Sequence, residues 1–131
     1  MIVLDTHAWV WWISSPERLS EKAQTEIEQA METKEIHISS ISAWEVALLV
    51  RKGRLELSLP AEDWVARSEA LPFLDFVPVD NHIAMRSVHL PGELHDDPAD
   101  RIIIATALTL GAPLVSKDSK IRSYRHVKTI W

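Results

Sequence analysis

Met1-Ile-Val-Leu-Asp5 opens the chain, and the reading of this stretch decides the fold. Its apolar run is too brief for a helix and stops at once on an acid, so it reads as a buried strand ending at Asp5. Working outward, Ile36-His-Ile38, Phe73 to Val79, Pro113 to Ser116 and Val127 to Ile130 read as further short strands. The stretches between them have helical spacing. Leu19, Ala23, Ile27 and Ala30 share one face of a helix predicted over 17–31. Other helices are predicted over 6–12, 43–51, 60–70, 81–88 and 98–110, the last closed by Gly111. Strands separated by helices, not by hairpin loops, imply βαβ crossovers and a mostly parallel sheet. With no repeat, low-complexity tract or linker, the sequence reads as one α/β domain over residues 1–131.

Composition removes several function classes. Without cysteine there is no disulfide, thiolate metal site or cysteine nucleophile, which suits a reducing compartment. The six histidines show no HExxH-like spacing, so a zinc site is not expected. Three glycines and no G-x-G-x-x-G or P-loop argue against a nucleotide cofactor. No leader pattern or membrane-length apolar run is visible, so a cytoplasmic protein without membrane contact is expected. The net charge of −5 is unevenly spread. Residues 1–35 carry seven acids against three bases, whereas residues 101–131 carry six bases against Asp118 alone. A basic end beside an acidic cluster suits a protein that handles nucleic acid with bound cations, although a solvated surface would look similar.

The informative feature is where four acids fall. Asp5 follows the first strand, Glu45 is expected in the first turn of the helix after the second, Asp100 in the first turn of the helix that feeds the fourth, and Asp118 two residues past that strand. In an open parallel sheet these positions share the carboxyl edge, where such folds bind ligands. Acids converging there repel one another unless a cation sits among them, and oxygen-only ligands suit Mg²⁺ or Mn²⁺. Each also has a plainer explanation. Ser42-Ala-Trp-Glu45 matches a capping box, Asp97-Pro-Ala-Asp100 offers helix-capping chemistry, and Asp118 suits a turn. Asp97 is read as a cap and left out of the cluster.

Met1-Ile-Val-Leu-Asp-Thr-His-Ala8 with Trp11-Trp12, Ile41-Ser-Ala-Trp-Glu-Val46, Asp97-Pro-Ala-Asp-Arg-Ile-Ile-Ile-Ala-Thr-Ala107 and Pro113-Leu-Val-Ser-Lys-Asp118 resemble, in order, the four motifs of PIN-domain proteins. The match spans nearly the whole chain and is closest to VapC-type toxins of toxin–antitoxin pairs. The resemblance implies a three-layer α/β fold and Mg²⁺- or Mn²⁺-dependent cleavage of RNA. It maps the family's three core acids onto Asp5, Glu45 and Asp100 and its variable fourth onto Asp118, with Thr6 helping to hold the site. A cognate antitoxin and a homodimer are the partners it implies.

On this reading Asp5 and Asp100 ligate metal, Glu45 ligates metal or acts as a base, and Asp118 holds a second metal or orients water. Lys117, Arg101 or Lys120 would neutralise phosphate, Lys120 being more simply a solvated residue. His7 is expected to make a structural hydrogen bond near Asp5, and Trp9 and Trp12 to pack in the core, with an exposed aromatic patch for a partner or a dimer as the alternative. Two other functions stay open: a PIN-like module kept for protein binding, and an α/β phosphatase or phosphotransferase. A haloacid-dehalogenase-type enzyme would need a second Asp where His7 stands, and a receiver domain would need an acceptor strand that residues 55–63 do not provide.

Overall fold

The computed structural model describes residues 1–131. Its strands are β1 (Ile2–Leu4), β2 (Ile36–Ser39), β3 (Leu74–Val77), β4 (Leu114–Val115) and β5 (Thr129–Ile130). Its helices are α1 (Thr6–Ser14), α2 (Glu21–Thr33), α3 (Ser40–Arg51), α4 (Ala61–Glu69), α5 (Asn81–Val88), α6 (Pro98–Leu110) and α7 (Ser119–Arg122). All four strand pairings are parallel, in the order β3-β2-β1-β4-β5.

Side-chain alternation along β1 explains the layers. Ile2 and Leu4 join Ile36, Ile38, Trp9, Ile27 and Trp64 in one core, built with α1, α2 and α4. Val3 points the other way, into a second core with Leu114, Ile83, Ile103 and Ile104 from α5 and α6. The sheet is thus apolar on both faces and covered by helices on both, as a parallel sheet requires. No helix is long and apolar enough to cross a membrane.

Strand order fixes where a ligand would bind. The chain leaves β1 toward β2 and β3, then returns to place β4 on the other side of β1. This reversal opens a crevice beyond the carboxyl ends of β1 and β4, the usual ligand position in open α/β sheets. Asp5 and Ser116 stand there because they directly follow those strands.

Several local expectations are corrected. The second helix begins at Glu21, not residue 17, because the Ser20 hydroxyl accepts from Ala23 N–H and caps it, while Pro16–Arg18 form a separate 3₁₀ turn. α3 begins at Ser40 under a Ser39 cap, so Ser42 and Glu45 lie inside the helix and the capping box is not built. α7 was not foreseen. Trp9 packs in the core as expected, 0% exposed and sealed against Trp64 and Phe76, so the alternative of a surface patch shared with half-buried Trp12 is not formed.

Candidate active site

Asp5, Glu45, Asp100 and Asp118 all line a single cleft of about 530 Å³, together with Asp97. Each arrives there through a local rule. Asp5 directly follows β1 and caps α1, its Oδ1 accepting from Ala8 N–H at 2.8 Å. Asp97 caps α6 by accepting from Asp100 N–H at 2.9 Å, which sets Asp100 in the first turn. Asp118 caps α7 through Lys120 N–H at 2.8 Å. Glu45 has no capping task. Being on the second turn of α3, it reaches across to α1, where Thr6 Oγ1 donates to its Oε1 at 2.5 Å. Buried Thr6 also lies 2.9 Å from Ser42 Oγ and, with its one proton given to Glu45, accepts there.

Burial dominates the electrostatics of Asp5, Glu45 and Asp100. Asp5 is only 7% exposed, and burial lifts its carboxyl from 3.8 to about 6. The Ser116 hydroxyl, the Ala8 N–H and His7 oppose that rise, and Asp100 adds to it. Burial likewise lifts Glu45 from 4.5 to about 7, against the Thr6 bond and with added repulsion from Asp100, Asp97 and Asp5. Asp100 is raised by burial, while His95 pulls it down and Asp97 and Asp118 push it up. No lysine or arginine pairs with any of these acids; the side-chain partner of Asp100 is His95, whose Nε2 lies 2.6 Å from Asp100 Oδ2. The cluster therefore holds more negative charge than the chain's own cations compensate.

Two side chains depart from the sequence expectation. Arg101 is absent from the cleft lining. Its guanidinium instead donates to the carbonyls of Ser87, Leu94, His95 and Val88 and ties the loop after α5 to α6. His7 makes no hydrogen bond to Asp5; it is exposed and its ring lies 5.7 Å from that of Trp11. Conversely, the sequence reading missed His95 as the partner of Asp100. Five residues across an irregular loop leave no periodic signal, and only the acid-rich Asp96-Asp97-Pro-Ala-Asp100 after it hinted at the pairing.

A three-layer α/β sandwich with an acid-lined crevice at the switch between β1 and β4 defines a class, and residues 2–127 match the model of the PIN domain. The chain belongs to the PIN-domain family. It is 36% identical to the protein named Ribonuclease VapC22 from Mycobacterium tuberculosis (strain ATCC 25618 / H37Rv), over 99% of this chain and 98% of that protein. Among solved structures, VapBC2 from Rickettsia felis bound to a promoter DNA fragment superposes with a TM-score of 0.71 at 18% identity, covering 98% of this chain and 97% of that one. FitAcB from Neisseria gonorrhoeae gives 0.69 at 20% identity, covering 98% and 96%. At those identities the two structures speak for the fold alone.

Proposed function

We propose that this chain is a metal-dependent endoribonuclease and the toxin of a type II toxin–antitoxin pair. The carrying observation is the crowding of Asp5, Glu45 and Asp100, with raised carboxyls and no lysine or arginine partner, in the cleft of a PIN domain. Full-length identity of 36% to a protein named a ribonuclease points the same way.

The donor set fits a hard divalent cation, since it offers carboxylate oxygens and no thiolate. As they stand, no three His, Asp or Glu side chains form a ready cage. The fit is therefore to an ion that keeps several waters and takes one or two carboxylates directly, as Mg²⁺ does. Asp5 and Asp100 are the direct ligands in this reading, and Asp118 is an outer one. When bound, Mg²⁺ or Mn²⁺ supplies a nucleophilic water at neutral pH and relieves charge on the phosphate oxygens.

The chain's own groups do the rest. Glu45, held near neutrality and oriented by Thr6, can accept a proton from water at physiological pH. His95 holds Asp100 in one rotamer by its hydrogen bond. Lys117, exposed at the rim of the same cleft, is the cation placed to meet a flanking phosphate. The partners that follow are single-stranded RNA, a cognate antitoxin of the kind present in the neighbouring toxin–antitoxin complexes, and a second copy of the chain. Exposed Trp44, Met85 and Val88 are apolar surface for such contacts.

The test is incubation of the purified protein with total cellular RNA and Mn²⁺ or Mg²⁺, with the cut sites mapped. Discrete fragments bearing 5′-phosphates, lost in chelator, are expected. Intact RNA across a range of metal concentrations would leave the protein-binding module as the better reading.

A further inference from the structure

One wall of the acidic cleft has a different character. Trp11, half-buried, is the only tryptophan lining it. Arg18 places its guanidinium carbon 4.7 Å from the Trp11 ring centroid, and Lys117 its ammonium nitrogen 5.8 Å away. These cations come from separate elements, the turn after α1 and the segment after β4, and converge on one ring. Both are exposed, and neither forms an ion pair, although unpaired carboxylates line the same cleft. Trp131, 5.9 Å away and tilted by 59°, buttresses the ring from the end of the chain.

We propose that Trp11 is a stacking platform for the base of a nucleotide adjoining the scissile phosphate, and that Arg18 and Lys117 pass from the ring to the flanking phosphates as RNA binds. The assignment rests on the ribonuclease reading above. Trp11 lies on α1 six residues beyond Asp5, the N-cap of that helix, which is roughly 9 Å along its axis. That separation keeps the ring outside the carboxylates yet within reach of a neighbouring nucleotide.

Magnitudes decide which contact wins. An exposed cation over an aromatic ring contributes about 2- to 5-fold in an equilibrium constant. A base stacked on the same ring contributes about 5- to 150-fold. A base therefore displaces the cation, and the released cation finds a phosphate beside it. A protein of net charge −5 whose cleft is lined with acids needs such local positive charge to admit a polyanion. A purely structural Trp11 would also stabilise the fold, through Trp131 and His7, but would be indifferent to the bases of a substrate.

The experiment uses the full-length protein and a 12-nucleotide RNA taken from the sequences that wild type cuts in total RNA. Cleavage is followed for wild type, Trp11→Leu and Trp11→Phe. Abasic nucleotides are walked through the RNA in parallel. For Trp11→Leu, KM is expected to rise about 5- to 150-fold and by more than kcat falls, and Trp11→Phe should recover most of the loss. An abasic position next to the cut should weaken wild type by a similar factor and Trp11→Leu hardly at all. Equal KM values, or the same abasic penalty in both proteins, would overturn the assignment while leaving the nuclease standing. If Trp11→Leu does not fold, the abasic walk on wild type decides, and the absence of any penalty beside the cut refutes stacking. Wild type that cuts no RNA in Mn²⁺ would bring down the ribonuclease reading and the platform with it.

Discussion

Replacing Asp5 with asparagine is expected to make the metal-free protein more stable while removing its activity. Burial raises the Asp5 carboxyl from 3.8 to about 6, a displacement equivalent to about 3 kcal/mol against the folded state once the group is ionised. Below pH 3.8 the carboxyl is neutral in folded and unfolded chains and costs nothing. Between 3.8 and about 6 the unfolded chain ionises while the folded one keeps its proton, so stability falls as pH rises; above about 6 the whole cost is present. Asparagine is an equally good N-cap and can still accept from Ala8 N–H, but it carries no charge. Part of the gain is offset, because Ala8 N–H and the Ser116 hydroxyl favour the carboxylate more than an amide. A net gain of about 1–2 kcal/mol remains, or a rise in Tm of about 3–8 °C. Calorimetry in EDTA at pH 7.5 and pH 5 measures it: the variant should lead at pH 7.5 and the gap should narrow at pH 5. Excess Mn²⁺ should then stabilise wild type and leave the variant unchanged. A variant less stable than wild type at pH 7.5 in EDTA would refute the reasoning, because Asp5 would then be a favourable charge in the folded protein.

Three other perturbations separate roles. With Asp5 titrating near 6 and Glu45 near 7, protons compete with the cation. Cleavage at limiting Mg²⁺ should rise between pH 5.5 and 7.5 and level off above, and saturating Mg²⁺ should move the rise to lower pH; pH–rate profiles at two Mg²⁺ concentrations check this. Thr6→Val removes the donor that holds the Glu45 carboxylate down. It should shift the activity profile to higher pH and cost about 1–2 kcal/mol of stability, measured by thermal unfolding at pH 8. Arg101→Ala frees the carbonyls of Ser87, Val88, Leu94 and His95. It should cost about 1–3 kcal/mol of stability with KM for RNA unchanged well below the Tm, whereas a large loss of RNA affinity would restore Arg101 to phosphate binding.

The strand pattern was legible because strands buried on both faces read as short apolar runs, unbroken at Met1–Leu4 and interrupted only by His37 between Ile36 and Ile38. Asp5, Asp100 and Asp118 were legible because each follows a strand or sits at a helix start, whereas Glu45, on the second turn of α3, reaches the same edge from inside a helix. Helix starts were harder. Ser39, Ser40 and Ser42 are all competent caps, and in the fold it is Ser39 whose hydroxyl accepts from Ile41 N–H. That choice took Glu45 out of a capping box and turned it toward Thr6. The orientation of Trp9 and the pairing of His95 with Asp100 depend on contacts set by tertiary packing, which periodicity does not encode. Arg101 follows Asp100 directly, yet helical geometry turns adjacent side chains about 100° apart. One faces the cleft and the other faces the loop.

The central claim, that these carboxylates together hold the catalytic cation, is tested most directly by titrating Mn²⁺ into metal-stripped protein and following the electron paramagnetic resonance signal of the free ion. Wild type is expected to withdraw Mn²⁺ from solution saturably, Asp5→Asn and Asp100→Asn to withdraw little, and cleavage of RNA to track the bound ion. Equal Mn²⁺ uptake by all three proteins, or undiminished cleavage in excess chelator, would contradict the account.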